Sequence, residues 1–179
     1  MTDFSPINGQ RCCAYAARRF GWMRFGSNGC GVLAIYNALG LLGMEPCVDE
    51  ILQHFRHRPR LFGIFPCGLR RYFKKQQIPY RTAKNVQALE ALLKNGGVAV
   101  VTYWNRALWG RIPWIFRGAH TVAVCCDGRF TVYNRFSNQD RSYVFDDLAE
   151  LLKNRVFMKG FFLEKGKNET FQLEPCQHV

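Results

Sequence analysis

The sequence predicts an α+β fold, on two observations. Through Lys94 the apolar residues recur at the three-to-four spacing of amphipathic helices, and from Val98 onward they fall into short β-type runs separated by turn signals. A chain whose helices come first and whose strands come last packs the two as separate layers, here a helical half against an antiparallel sheet.

The first element is prepared by Gly26-Ser27-Asn28-Gly29, a turn composition that runs into Cys30 and then into an almost uninterrupted apolar stretch over residues 31–42. That stretch reads as a buried helix with Cys30 in its first turn. Gly43-Met44-Glu45-Pro46 turns the chain into a helix over residues 48–57, whose apolar face is Val48, Ile51, Leu52 and Phe55. Residues 69–75 continue as an amphipathic helix, and residues 86–94 form a fourth, stopped by Asn95-Gly96-Gly97. Residues 98–103 are a buried strand. A hairpin follows from His120 to Asn134 around Asp127-Gly128, then a helix over residues 146–152 and a strand over residues 156–163. One domain over residues 1–179 accounts for all of this, with residues 164–179 as a polar tail.

The chemistry is concentrated at Cys30. Unpaired N–H groups and the positive dipole end at a helix start favour a thiolate, so this position suits a nucleophile. A nucleophilic thiol needs a base. Of the four histidines, His54 and His57 lie off the apolar face of their helix, and His178 lies in the tail. His120, at the start of the hairpin, is the remaining choice. A type I turn over Cys126-Asp127 with Gly128 in a G1 bulge pairs Cys125 with Arg129 and therefore His120 with Asn134. That register also puts Val122 opposite Val132 and Val124 opposite Phe130 on one apolar face. The Asn134 side-chain oxygen would then accept from His120 and fix its tautomer.

Asn28-Gly29-Cys30-Gly31 with its helix, Gly118-Ala119-His120-Thr121-Val122 and Val132-Tyr133-Asn134 together resemble a papain-like cysteine peptidase of the C39-like branch. The resemblance implies a papain-like fold, with the cleft between the helical half and the sheet, and a catalytic triad of Cys30, His120 and Asn134. The expected activity is that of a thiol protease or related hydrolase, cleaving a peptide or isopeptide bond through a thioester. An acyltransferase using the same triad and a catalytically silent binding module for an acidic partner are the alternatives. Such enzymes often carry a glutamine shortly before the cysteine as an oxyanion donor. Arg24 stands six positions before Cys30 and Gln10 is far upstream, which leaves Asn28 as the nearest amide, either donor or turn residue.

Composition adds bounds. The net charge of +12 marks a basic protein suited to acidic partners, but the basic residues match no nucleic-acid motif, so a solvated basic surface is expected. Eight cysteines with adjacent pairs at Cys12-Cys13 and Cys125-Cys126, and no signal segment at the N-terminus, point to free thiols and a cytoplasmic location. No C-x-x-C element exists to build a zinc site, so no metal and no cofactor is expected. The segment 104–117 carries Trp104, Trp109 and Trp114 with three arginines just before His120; it forms either substrate subsites or packing for the sheet. Asn37, inside the apolar helix, is expected to bond buried backbone.

Overall fold

A computed structural model of the chain describes residues 4–55, 63–105 and 118–164. Among them a small hairpin, β1 (Arg19–Phe20) with β2 (Met23–Arg24), leads into a one-turn helix, α1 (Phe25–Asn28), and then into α2 (Cys30–Leu41). The stretch read as an open turn before Cys30 is thus itself helical. Gly29 joins the two helices, its N–H donating to the Phe25 carbonyl at 2.6 Å. α2 carries no charged side chain, and Val32, Leu33, Ala34, Ile35, Ala38 and Leu39 are fully enclosed. Each large aliphatic side chain buried in this way contributes roughly 1.5–3 kcal/mol. Asn37 is enclosed as well, and its amide accepts from the Ile7 N–H and donates to the Ile7 carbonyl, both at 2.8 Å. It bonds backbone, as its surroundings require.

Two further helices, α3 (Val48–His54) and α4 (Pro66–Lys75), precede the short strand β3 (Arg81–Ala83). α5 (Val86–Lys94) begins at Asn85, whose side chain accepts from the Ala88 N–H. Strands β4 (Val98–Asn105), β5 (Ala119–Asp127), β6 (Arg129–Tyr133), β7 (Tyr143–Phe145) and β8 (Arg155–Leu163) complete the chain, with α6 (Leu148–Leu151) between the last two. Their sheet has the order β3-β8-β4-β5-β6-β7, every neighbouring pair antiparallel. No described helix is long and apolar enough to cross a membrane.

The α+β class is as expected, but the layering differs from a helical half on one side of a sheet. Val98, Val100, Ala123, Phe161 and Leu163 pack with α2, α3 and α4. Ala99, Val101, Val122, Val124, Phe130, Val132 and Phe162 face the other way, against α5 and α6. The physical reason lies in β4 and β5, which are apolar on successive residues, so both faces of the sheet need a cover.

The hairpin register also differs. Val124 pairs with Val132 and Cys126 with Phe130, a slip of two residues from the expected pairing. A slip of two leaves every side chain on its original face, so the apolar pattern that specified the faces could not distinguish the two registers. Asn134 therefore lies beyond the paired end of β6 and is not opposite His120.

The expected all-thiol state is also corrected. Cys47 is disulfide-bonded, whereas Cys12, Cys13, Cys30, Cys67, Cys125 and Cys126 are free. His54 is half-buried, with its ring edge-on to Phe55 and Tyr72, and so is not simply exposed.

Candidate functional site

Cys30 is the first residue of α2, and both flanking glycines are there for space. A Cβ on Gly29 would stand 2.7 Å from the Phe25 ring, and one on Gly31 would stand 2.8 Å from Cβ of Ile64. The Gly-Cys-Gly sequence thus lets the helix start press into the core. As a result, Cys30 is only 7% exposed.

The thiol sits against the start of β5. Burial raises its pKa above the ordinary 9.0, and this outweighs the opposing pull of the Thr121 backbone, the Gly31 and Cys30 N–H groups and the Thr121 hydroxyl. The helix-start effect expected from the sequence is therefore present but loses to desolvation. Thr121 itself is buried, its hydroxyl 3.1 Å from that of Thr102 on β4.

His120 is the residue next to Thr121. Alternation along β5 puts Thr121 on the α2 face and His120 on the other, beside its cross-strand partner Tyr103, with ring centroids 5.7 Å apart. Its Nε2 lies 2.6 Å from the backbone carbonyl of Asn134. A carbonyl can only accept, so Nε2 carries the proton and Nδ1 is left with the lone pair. Burial holds the imidazole below its ordinary 6.5; the Asn134 bond opposes this, and the charge of Arg155 adds to it. Thiol and imidazole are thus both neutral at rest, and no hydrogen bond joins Cys30 Sγ to the ring among the described residues.

The expected role of Asn134 is corrected in its atoms. Its carbonyl, not its side chain, holds His120, and a φ of +58° turns that carbonyl after β6 ends. The side chain serves a different network. Asn134 Oδ1 accepts from the Gln10 N–H at 3.1 Å, and Nδ2 donates to Gln10 Oε1 at 3.2 Å. The Asn134 N–H donates to Asn8 Oδ1 at 2.7 Å.

Gln10 is the residue that the sequence reading passed over. Buried, it donates from Nε2 to the Gly26 carbonyl at 3.0 Å, four residues before Cys30, while its other atoms hold Asn134. It therefore ties the approach to Cys30 to the support of His120. The only sequence signal for this was an amide residue after Asn8-Gly9. Asn28 is also buried, the last residue of α1 and two residues before Cys30.

Trp104 lies within β4, paired with Ala119, and not in a loop; its buried Nε1 has no hydrogen-bond partner. Trp109 and Trp114 lie outside the described residues, as do Arg106, Arg111 and Arg117. No protein-family model matches this chain, and no characterised protein matches it in sequence.

Proposed function

We propose that this chain is a cysteine hydrolase of papain-like architecture, acting on a peptide or isopeptide bond. The observation that carries the reading is the His120 Nε2 bond to the Asn134 carbonyl. It leaves Nδ1 as a base on the residue adjoining Thr121, against which the Cys30 thiol lies. In this mechanism Nδ1 takes the Sγ proton as sulfur attacks the substrate carbonyl carbon, giving a tetrahedral oxyanion. The Cys30 N–H meets the oxyanion, and the second donor comes from Asn28 or Gln10. Nδ1–H then passes its proton to the leaving amine as the C–N bond breaks. Water, deprotonated by Nδ1, attacks the thioester, and the thiolate leaves and is reprotonated. An acyltransferase differs only in the acceptor that replaces water.

Because thiol and imidazole are both held neutral, the reaction runs by general-base transfer at the moment of attack and not from a standing ion pair. With Cys30 on the α2 face and His120 on the other, this transfer requires the start of α2 and the His120 ring to come together around the substrate. The alternative, a silent module binding an acidic partner, is favoured by the enclosed thiol and the missing Sγ–imidazole bond.

The two readings separate in the alkylation of Cys30 by limiting iodoacetamide between about pH 6 and 9, followed by peptide mass and compared with His120→Gln. The hydrolase reading expects Cys30 labelling to fall about tenfold or more in the variant, while Cys12 and Cys67 label at unchanged rates. Equal Cys30 rates in the two proteins would overturn it in favour of the silent module.

A further inference from the structure

Around the group of His120, Tyr103 and Asn134, two guanidinium groups have no ion-pair partner among the described residues. Arg155, at the start of β8, lies over the Tyr103 ring at 5.3 Å, with Nη1 donating to the Leu151 carbonyl at 2.8 Å and Nε to Asn105 Oδ1 at 3.3 Å. Arg135, immediately after Asn134, stacks on Phe145 at 4.4 Å, with Phe136 at 5.2 Å. The ion pairs among the described residues use Arg18, Arg81, Lys94 and Arg129, and neither of these two arginines. Glu150 on α6 acts on Arg135 through its charge but forms no ion pair with it.

The two positive charges act on each other instead. The charge of Arg155 adds to burial in pushing down the Arg135 guanidinium, and the Tyr103 hydroxyl feels both. Arg135 Nη1 is buried and has no hydrogen-bond partner. A buried donor without an acceptor is unfavourable in isolation. A planar anion would satisfy Arg135 Nη1, because the guanidinium fork matches a carboxylate in geometry as well as in charge, and the charge of Arg155 would add to the attraction. Tyr103, packed edge-on to His120, places that anion next to the catalytic imidazole and not on a remote surface.

We propose that Arg135 and Arg155 form a recognition site for a carboxylate, beside His120 on the Tyr103 side. The proposal rests on the hydrolase reading in one respect, that the carboxylate belongs to the substrate. Its source is either the free C-terminus of a peptide or the side chain of an acidic residue near the bond attacked.

The test is a titration of the full chain carrying Cys30→Ala, which binds without turnover, following the arginine Nε–H resonances by NMR. N-acetylglycine supplies a terminal carboxylate, N-acetylglutamic α-amide a side-chain carboxylate, and N-acetylglycinamide neither. The expected result is a saturable millimolar response of Arg135 and Arg155 to at least one carboxylate and none to the neutral amide. The tighter of the two acids names the source, and equal binding leaves the shared carboxylate site standing. Arg135→Gln should weaken binding tenfold or more, and Arg135→Lys, which keeps the charge but loses the fork, should fall between. Absence of saturation below about 50 mM, undiminished binding in Arg135→Gln, or equal displacement by chloride would overturn the site. Carboxylate binding with a Cys30 indifferent to His120 would remove the hydrolase reading alone.

Discussion

The two faces of the main sheet give Cys30 and His120 different surroundings. On the α2 face, Cys30 meets Thr121, itself bonded to Thr102, amid aliphatic side chains, and its thiol is held up by burial. On the opposite face, His120 meets Tyr103 and the charge of Arg155, and its imidazole is held down by burial and by that charge. Both environments favour the uncharged form chiefly by withholding water, and the second adds a like charge. Cys30 and His120 are thus each held uncharged, on opposite faces of one sheet.

The largest way to break this contrast is at Asn134, where the second face is anchored. Asn134→Val should destabilise the protein by about 3–5 kcal/mol, combining strain at a φ that β-branched residues avoid with the loss of buried hydrogen bonds. Asn134→Gly tolerates that φ and keeps the carbonyl, so it should cost about 1–3 kcal/mol and leave the His120 Nε2–H tautomer in place. Denaturant unfolding measures the first quantity and imidazole nitrogen shifts the second. Loss of the tautomer in Asn134→Gly would show that the side chain, not the carbonyl, orients the ring.

A smaller effect is expected on the α2 face, where the constraint is packing. Gly31→Ala drives a methyl into Ile64 and should lower stability by about 1–3 kcal/mol, read as a drop in Tm. An unchanged Tm would mean that the helix start has room to shift, and with it the thiol.

The smallest effects concern pH and have opposite signs on the two faces. Native His120 takes its proton only below 6.5, whereas the unfolded chain takes it near 6.5, so stability falls as pH drops through that value. The slope is at most about 1.4 kcal/mol per pH unit, and His120→Gln should flatten it. Native Cys30 loses its proton only above 9.0, so stability falls as pH rises past 9.0, and Cys30→Ala should flatten that alkaline limb. Thermal unfolding from about pH 4 to 10 checks both, and unaltered slopes would place these groups in surroundings no different from water.

Much of the architecture was legible in advance. Residues 86–94 were read as a helix with the bounds of α5, because Val86, Leu89, Leu92 and Leu93 mark one face and Asn85 and Asn95 bracket it. β4 and β8 were legible as apolar runs. The strands β1, β2, β3 and β7 were not, since two or three residues carry no usable period. Around Cys30 and His120, the network of Asn8, Gln10 and Asn134 was not legible, because a contact across more than a hundred residues leaves no local signature.

By itself, the sequence determined that α2 would be enclosed and that Phe130 and Val132 share one face of β6, from the uncharged run of the helix and the alternation of the strand. Only the tertiary structure decided which residues meet. The two-residue slip of the hairpin kept every face intact yet moved Asn134 past the end of β6, where its backbone, and not its amide, reaches His120. Periodicity constrains direction, whereas distance depends on turns and on segments brought from elsewhere in the chain.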